Sequence, residues 1–490
     1  MATYYYAEGG GAANKEAATG GAYPAGCMSP ATAVSESAGF SAGDRCLASD
    51  EGGIIRATIT PGVSGSAGSH IVWGAKSGDS PHIKGSDLIT TWSGEGTEFI
   101  WEAACTTDPV DQVWMDDTWG DEKDGVGSLV NEYDWYWAAN VLYVYAATDP
   151  DARYTSPGVE AGARNNCFNL TDLSYTTVQD LECSQTLGSP VLAHSNSAQH
   201  TDISLIRIVS HDASKENNGQ TIYFDSVNNG LISECEVYNS GWNGIAITCN
   251  WGIYDQSGTV AEKCYIHDIP DHNGFDIHIR NNAGSLSDIT VKHCRIEDVG
   301  SGEGIFVYNE NSNADTITDV KIYGNVSVTN SGSGLAAYTT TGVRPSGLKV
   351  YNNTFYGNGN YGIWAVVNDS DFQNNIVAEN DHTFQMGIRD EGGTANTADY
   401  NLVWSTVGGD VCDWNNNACT HAELFAIYGQ DEHGLSENPD LTNTGSDDYT
   451  LSIVSPCRGA ADNLGSSYDE ALLPASVWAA AVVTGSQDDY

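Results

Sequence analysis

Apolar and polar residues alternate in short runs that recur through the middle of the chain. In the run Gly-Phe-Asp-Ile-His-Ile-Arg at 274–280, the apolar side chains are separated by polar ones. This alternation predicts a β-strand with one buried face and one exposed face. Comparable runs follow a series of glycines whose successive steps are 30, 30, 30 and 28 residues: Gly244, Gly274, Gly304, Gly334 and Gly362. A repeat of this length predicts a solenoid of stacked coils.

The connections between these runs are polar turns of variable length. They exclude an up-and-down antiparallel barrel and favour parallel strands wound as a right-handed helix of coils. Asn pairs at 281–282 and 352–353 tolerate left-handed backbone and are predicted to form ladders between coils. Cys235, Cys264 and Cys294 share one phase of the repeat, so we expect them to stack inside as small buried side chains.

The presence or interruption of the repeat divides the chain into four regions. They are a cap with the first coils at 1–75, an antiparallel β insertion at 76–160, the parallel β-helix core at 161–404, and C-terminal coils with a tail at 405–490. In the cap, strands are predicted at 3–7 and 53–59. In the insertion, aromatic segments such as TEFIWEA and YDWYWAANVLYVYAA predict hairpins. The apolar run 471–483 is too short to cross a bilayer, so no membrane insertion is expected.

The glycine series also predicts which outward side chains are neighbours on one face. Aligned on the glycines, three columns result: Ala246, Asp276, Phe306, Ala336 and Trp364; then Thr248, His278, Tyr308, Tyr338 and Val366; then Asn250, Arg280, Glu310, Thr340 and Asn368. Neighbours should lie about 4.8 Å apart down a column and about 6.7 Å apart along a strand. Asp276, His278, Arg280 and Tyr308 are therefore predicted to form one polar cluster.

This cluster has the residue types that cleavage of a uronate by β-elimination requires. Such a reaction neutralises the substrate carboxylate, removes the proton beside it and protonates the departing oxygen. Arg280 is the candidate for the first role, His278 for the base and Tyr308 for the acid, with Asp276 orienting His278. The candidate substrate-binding residues are the aromatic neighbours of the cluster and two polar ones: Phe306, Tyr338, Trp364, Glu310 and His272.

Two other interpretations of the same residues remain open. Glycoside hydrolysis needs two carboxylates about 5–9.5 Å apart, and Asp271 and Glu303 are the nearest partners for Asp276. Alternatively, the aromatic columns and an Arg280–Glu310 pair stabilise the ladder without any catalytic role.

Charge limits the partners that the chain can bind. There are 65 acidic and 19 basic residues, a formal net charge of −46. Nucleic acid is excluded, because binding phosphates needs a cationic surface. The acidic segment 116–125 lacks EF-hand spacing and is interpreted as a solvated turn, although the composition leaves a bound Ca²⁺ open. No zinc-type spacing of His, Asp and Glu occurs, so we expect no metal ligands and no required cofactor.

The twelve cysteines form no CxxC pair of the metal-binding type. Three pairs are close enough in sequence to close loops as disulfides in an oxidising compartment: Cys27 with Cys46, Cys167 with Cys183, and Cys412 with Cys419.

The coil phrases at 228–380, the opening TYYYAEGG and the closing DYTLSIVSPCRGAAD are similar to the right-handed parallel β-helix superfamily. That superfamily includes pectate lyases, alginate-active enzymes and phage tailspikes. The string Gly-Phe-Asp-Ile-His at 274–278 also resembles the G-[FI]-D-P-H signature of mannuronan C5-epimerases. It departs from that signature at Ile277, where Pro is expected, and at Ile279, where an acidic residue usually follows the His.

The resemblance implies an extracellular protein that processes polysaccharides, and the cluster favours a lyase acting on an acidic glycan. A non-catalytic tailspike, fibre or adhesin is the alternative, and the tailspike resemblance implies a homotrimer. The first residues, Met-Ala-Thr-Tyr-Tyr-Tyr, show no secretory signal, so we expect either a removed leader or release by another route such as lysis.

Overall fold

The computed structural model describes residues 1–107, 110–215, 219–250, 254–280, 284–310, 315–390, 395–409, 411–464 and 468. Within these residues the chain is a parallel β-solenoid of about 12 turns. Separate antiparallel sheets lie near the N-terminus, and there is little helix. The predicted all-β fold, a parallel β-helix with an antiparallel insertion, is confirmed.

The solenoid has three faces: one is the largest sheet, called here the long sheet, one is a second large sheet, and one is formed by two small sheets. The longest has 20 parallel strands: Thr3–Tyr6, Arg45–Ala48, Ile71–Ala75, His82–Lys84, Thr176–Ser184, Ile203–His211, Leu231–Ser233, Glu236–Tyr238, Val260–Glu262, Tyr265–His267, Thr290–Lys292, Arg295–Glu297, Lys321–Tyr323, Val326–Val328, Lys349–Tyr351, Thr354–Tyr356, Asp371–Gln373, Ile376–Ala378, Thr397–Asp399 and Leu402–Trp404. The second, called here the site sheet, has 11: Phe168–Asn169, Val191–His194, Ile222–Asp225, Ile245–Cys249, Phe275–Ile279, Ile305–Asn309, Leu335–Thr339, Ile363–Val366, Met386–Arg389, Cys412–Trp414 and Asn417–Cys419. The third face has short strands: His200–Thr201, Val227–Asn228, Gln256–Ser257, Leu286–Ser287 and Ile317–Thr318.

The remaining elements lie outside these coils. The insertion contains the strands Ser86–Ile89, Ser93–Gly94, Ile100–Ala104, Val113–Met115, Thr118–Trp119, Asp121–Glu122, Asp134–Ala138, Val141–Tyr145 and Val159–Gly162. A C-terminal hairpin pairs Leu441–Asn443 with Asp448–Leu451. The α-helices are Pro30–Ser37, Pro150–Arg153 and His421–Tyr428, and the 3-10 turns are Ala17–Thr19, Asp50–Gly52, Val126–Ser128 and Thr444–Ser446. No described helix is long and apolar enough to cross a membrane.

The apolar side chains of each coil fill one continuous core. Phe275, Ile277 and Ile279 point inward and are fully buried, as their alternation predicts. Cys235, Cys264 and Cys294 also lie inside, and burial raises the pKa of the thiols of Cys235 and Cys264. The stacking predicted for these three cysteines is confirmed.

All twelve cysteines are buried free thiols, so the three conditional disulfides are not formed. The thiol of Cys167 donates to the carbonyl oxygen of Ile83 at 3.1 Å inside the core. Cys412 and Cys419 lie directly opposite each other across a hairpin and still remain thiols.

Each glycine of the repeat stands where the chain enters the site sheet, and the space there excludes a side chain. A Cβ at Gly274 would lie 2.7 Å from the carbonyl oxygen of Gly304 and 2.5 Å from Ile296 Cγ2. The same collision recurs one coil further on, where a Cβ at Gly304 would lie 2.8 Å from the oxygen of Gly334. Both distances are shorter than any relaxed Cβ contact, so the repeat requires glycine for close approach.

Two inward-facing amide ladders hold successive turns at a fixed spacing. In the first, the side-chain amide of Asn353 donates to Asn375 Oδ1 at 3.0 Å and accepts from the side chain of Asn325 at 3.0 Å. The full series of this ladder is Asn325, Asn353, Asn375, Asn401 and Asp431. The second ladder is Asn330, Asn358, Asn380 and Gln385. The ladder predicted at 352–353 is thus formed by Asn353, whereas 281–282 lie outside the described residues.

A third ladder runs just before the glycines, with side chains accepting backbone N–H groups of the next turn. Asn243 Oδ1 accepts from Asn273 N at 3.1 Å, and Asn273 Oδ1 accepts from Glu303 N at 2.9 Å. The carboxylate of Glu303 continues the series by accepting from Ser333 N. Burial raises the pKa of Glu303 above its ordinary value, although the bond from Ser333 opposes the shift.

A buried charge network joins the insertion to the solenoid. Lys84 Nζ lies 2.8 Å from Glu160 Oε2, and both side chains are almost completely buried. Arg56 pairs with the other oxygen of Glu160. Asp117 also bonds Lys84, while Asp116 Oδ1 accepts from Ser156 N at 2.7 Å. The acidic segment 116–125 is therefore partly a structural junction, and its interpretation as a merely solvated turn was wrong.

The two ends of the solenoid are closed by helices. The helix Pro30–Ser37 contributes Ala33 to the main core, and His421–Tyr428 contributes Leu424 at the other end. Such caps protect the open edges of a solenoid. The strand predicted at 53–59 was wrong, because that segment has only isolated bridges, at Ile55 and Ile59.

We expect Asn353→Ala to lower the free energy of unfolding by about 2–4 kcal/mol, because it leaves buried amide partners on both neighbouring turns unsatisfied. Urea denaturation measures this change. Asn196→Ala, at an exposed asparagine, is the control and should change stability by no more than about 0.5 kcal/mol. Equal losses of stability in the two variants would show that the ladder does not stabilise the fold.

We also expect Glu303→Gln to raise the melting temperature at neutral pH. A carboxyl group whose folded pKa is raised favours folding below its unfolded pKa and opposes it above its folded pKa. Glutamine keeps the acceptor for Ser333 N and removes the charge. Calorimetry should therefore show a gain at pH 7 that disappears below about pH 4. The exposed Glu432→Gln variant is the control, and a gain independent of pH would refute the explanation.

Candidate functional site

The register of the site sheet matches the predicted columns. Asp276 pairs with Ala246 on one side and Phe306 on the other, and His278 pairs with Thr248 and Tyr308. On the next turn Phe306 pairs with Ala336 and Tyr308 pairs with Tyr338. Ala336 in turn pairs with Trp364. Residues of the third column follow the strand ends, where Arg280 N donates to Cys249 O at 3.0 Å. The sequence-derived surface is therefore correct over these coils.

His278 is the centre of the polar cluster. Its Nδ1 lies 3.5 Å from Asp276 Oδ2, and its Nε2 lies 3.3 Å from Glu310 Oε2. The side chain of Asn243 donates to Asp276 Oδ2 at 3.0 Å and fixes that carboxylate. The arrangement holds the imidazole between two carboxylates on adjacent turns.

Arg280 and Glu310 form the predicted ion pair, with 3.1 Å between Nε and Oε2. Both side chains are partly exposed, at 38% and 49%, so water screens their attraction. Asp276 and His278 are each only 5% exposed. The cluster thus has a buried imidazole and carboxylate with a partly exposed guanidinium beside them.

Several polar atoms in the cluster lack a hydrogen-bond partner among the described residues. They are Asp276 Oδ1, His278 Nε2 and Arg280 Nε. The contacts of His278 and Arg280 with Glu310 satisfy the distance for an ion pair but not the angles of a hydrogen bond. Water or a polar ligand in the adjoining pocket would satisfy these atoms.

Aromatic rings border the cluster on the following turns. Phe306 and Tyr308 are stacked with centroids 5.1 Å apart, and Tyr338 meets each of them edge-on at 5.4 and 5.2 Å. The Tyr308 ring lies 5.0 Å from the His278 ring, and its hydroxyl bonds the Thr340 hydroxyl at 2.8 Å. These rings give a half-buried apolar surface next to the polar groups.

Two of the predicted substrate-binding residues lie at the edges of this arrangement. Trp364 packs against Tyr361 and under the guanidinium of Arg389, which is 4.3 Å from the ring centroid. His272 stacks on Trp242 with centroids 3.3 Å apart. Burial lowers the pKa of His272, which keeps its imidazole neutral.

The pocket at the cluster also includes residues of preceding turns that the sequence had not indicated. Its lining comprises Gln220, Tyr223, Trp242, Thr248, Asn250, Asp276, His278 and Arg280. The hydroxyl of Tyr223 accepts from the side chain of Asn250 at 3.2 Å. Tyr223 occupies the column of Asp276 one strand before Ala246, on a turn where Thr221 stands in place of the repeated glycine.

Glu303 and Asp271 are the two carboxylates considered as partners of Asp276 in hydrolysis. Glu303 belongs to the backbone ladder described above, with its carboxylate bonded to Ser333 N. Asp271 lies in an exposed turn. Within the described part of the site, no three His, Cys, Asp or Glu donors lie close enough together to share one metal ion.

Comparisons with known proteins agree with the geometry of the coils. Residues 195–381 match a family model described as a right-handed beta helix region. The pectate lyase Pel9A is 16% identical with a TM-score of 0.56, and the match covers 97% of this chain and 95% of that one. The complex of XylC with xylose is 13% identical with a TM-score of 0.55, covering 90% and 87%. A protein described as a glycoside hydrolase is 12% identical with a TM-score of 0.55, covering 96% and 100%.

Identities this low show similarity of fold alone. A comparison with curated protein sequences gave no match. Over residues 195–381 the family model agrees with the predicted right-handed coils, and the solved structures have a similar fold over most of the chain. The described chain has a parallel β-helix fold, and its residues 195–381 are similar to right-handed β-helix regions.

Proposed function

We propose that this protein cleaves an acidic polysaccharide by β-elimination at the cluster around His278. The observation that carries the proposal is the convergence of Asp276, His278, Arg280 and Tyr308 beside an aromatic surface. The shared fold hosts several chemistries, so the proposal depends on these side chains and not on the fold.

The reaction would begin with binding of a uronate ring on the aromatic surface. Phe306 and Tyr338 offer apolar faces to the C–H groups of the sugar, while polar groups at the cluster meet its hydroxyls. The guanidinium of Arg280 would exchange part of its contact with Glu310 for the substrate carboxylate. This exchange lowers the cost of placing negative charge on the carbon beside that carboxylate.

The proton and the leaving group then follow separate paths. Glu310 Oε2 lies 3.3 Å from His278 Nε2 and would move away when the substrate binds; Nε2 then accepts the proton from the carbon beside the carboxylate. Asp276 lies at the opposite ring nitrogen and stabilises the imidazolium that forms. A carbon–carbon double bond forms as the glycosidic C–O bond breaks. The hydroxyl of Tyr308 donates its proton to the departing oxygen.

The proposal includes an extracellular location, because a polymeric glycan is met outside the cell. It requires no cofactor. The net charge of −46 repels a polyanion at long range, so the local positive charge of Arg280 has to be supplemented by salt or by a bound cation such as Ca²⁺.

One observation favours a second candidate, a glycan-binding β-helix without catalysis. The Arg280–Glu310 pair already engages the cationic group that an acidic substrate would need. In that case the aromatic surface would bind a neutral glycan, as in a tailspike or adhesin, and a homotrimer belongs to this candidate.

We expect His278→Ala to lower kcat on the preferred uronate polymer by about 10²–10⁴-fold, the contribution of a general base. The ultraviolet absorbance of the unsaturated product measures the reaction across a panel of uronate polymers. His267→Ala is the matched control, because His267 lies on the long sheet between Glu236 and Asp268 and should leave activity unchanged.

Three outcomes oppose the proposal. New reducing ends without ultraviolet absorbance would indicate hydrolysis, and wild-type binding without either product would support the non-catalytic candidate. Unchanged activity in folded His278→Ala would remove His278 from the mechanism.

Arg280→Gln tests the class of substrate. Losing a charged hydrogen bond to a carboxylate should raise KM for a uronate polymer by about 10- to 100-fold. Arg207→Gln, at an arginine paired with Asp180 on the long sheet, is the control and should not change KM. A KM for the preferred polymer that is unaffected by Arg280→Gln would show that the carboxylate is bound elsewhere.

A further inference from the structure

Three potential metal ligands meet on the outer face of the long sheet, away from the cluster around His278. They are His82, Glu182 and His211, which lie on the adjacent strands His82–Lys84, Thr176–Ser184 and Ile203–His211. One donor atom from each lies within 4.8 Å of the other two. No spacing in the sequence indicated this group, because its members are 100 and 29 residues apart along the chain.

The two histidines approach the same oxygen of the carboxylate. Glu182 Oε1 lies 3.2 Å from His82 Nδ1 and 3.1 Å from His211 Nε2. Two imidazoles that converge on one carboxylate oxygen supply the three donors that zinc takes in open protein sites.

The other nitrogen of each imidazole is held by a second group. His82 Nε2 bonds the Ser184 hydroxyl at 2.7 Å, and His211 Nδ1 bonds Asp212 Oδ2 at 2.8 Å. Tyr238 stacks on the His211 ring, with centroids 4.5 Å apart and planes within 6°. Both rings are thus oriented with one nitrogen towards the group centre, the arrangement that outer partners impose on metal-binding histidines.

The charges around the group favour a cation. Glu182 and Asp212 are acidic, and the nearby ammonium of Lys84 is already engaged by Glu160 and Asp117. The Glu182 side chain is 38% exposed, whereas that of His211 is 8% exposed. The group therefore opens to solvent at Glu182, which gives an ion a path in and leaves space for a further ligand from water.

We propose that His82 Nδ1, Glu182 Oε1 and His211 Nε2 bind one divalent first-row transition-metal ion, with zinc as the fitting ion. Two imidazoles and one carboxylate match zinc better than Ca²⁺ or Mg²⁺, which prefer ligands that are all oxygen. His82 lies before the first strand of the insertion, Ser86–Ile89, and the other two ligands follow its last strand, Val159–Gly162. The ion would therefore fasten together the turns on either side of the insertion strands.

Calorimetric titration of the chelator-treated, full-length protein with Zn²⁺ tests the proposal. We expect one saturable equivalent at neutral pH, and a rise in melting temperature with Zn²⁺. His82→Asn and Glu182→Gln should each weaken binding by more than about 100-fold, since changing only an outer partner costs about 10–100-fold. Asp212→Asn, which keeps all three ligands, should fall within that smaller range.

His267→Asn is the matched control. His267 lies on the same sheet, 3.4 Å from Glu236 and 2.7 Å from Asp268, yet it belongs to no group of three donors among the described residues. Its ring stacks on the other side of Tyr238 with centroids 5.1 Å apart, so its substitution should change zinc affinity far less than the loss of a ligand does. Circular dichroism of each apo variant checks that folding is retained.

Co²⁺ distinguishes these ligands from the twelve cysteines. The proposed site predicts weak visible bands without the strong ultraviolet absorption of a cobalt–thiolate bond. Absence of a saturable equivalent in the wild type, equal affinity in folded Glu182→Gln, or a thiolate spectrum would each overturn the proposal. So would an equal loss of affinity in His267→Asn.

Discussion

The close approach of successive turns at the repeated glycines is the constraint on which the rest of the structure depends. At Gly274 and Gly304 the carbonyl oxygen of the next turn occupies the space that a Cβ would need. A strand can therefore enter the site sheet in one register alone, and a slip of one residue would bring a side chain into that space and reverse its faces. The same register stacks the core residues and aligns the outward columns.

Once the register is fixed, the buried polar groups of each turn need hydrogen-bond partners at the same spacing. Asparagine is suited to this because one side chain can donate to one turn and accept from another, as Asn353 does between Asn325 and Asn375. Glu303 fills an equivalent position with a carboxylate and incurs a burial penalty, visible in its raised pKa. A polar residue near a candidate site can thus have a purely structural role. Its bonding partners, and not its proximity, decide which role applies.

The sequence predicted those features that the period determines. The pairing of Asp276 with Phe306 and of His278 with Tyr308 could be calculated from the glycine steps, and the structure has these pairs. Tyr223 was missed because Thr221, not glycine, precedes its strand, so the series could not be extended to that turn. The strand predicted at 53–59 failed for a related reason, since alternation over a short segment does not supply a neighbouring strand to pair with.

Contacts between segments that are far apart in the sequence could not be predicted from the repeat period. The burial of Lys84 against Glu160 depends on how an irregular insertion folds back, and no local pattern encodes it. His82, Glu182 and His211 come together for the same reason, because the insertion strands separate the first from the other two along the chain but not in space. The roles of the residues around His278 remain proposals, since register defines neighbours but not reactions.

The C-terminal tail limits which face is available for a long glycan. Tyr449 packs on Val326 and Val328, while Leu451 and Cys457 pack on Ile376 and Leu402, all on the outer face of the long sheet. The carbonyl of Asp447 also accepts from Arg295 at 3.2 Å. Over these turns the long sheet is covered by the chain itself, whereas Phe306, Tyr308 and Tyr338 on the site sheet are only half-buried. A polymer lying along the solenoid would therefore meet the site sheet. The proposed metal ligands lie on earlier turns of the long sheet, where the Glu182 side chain remains 38% exposed.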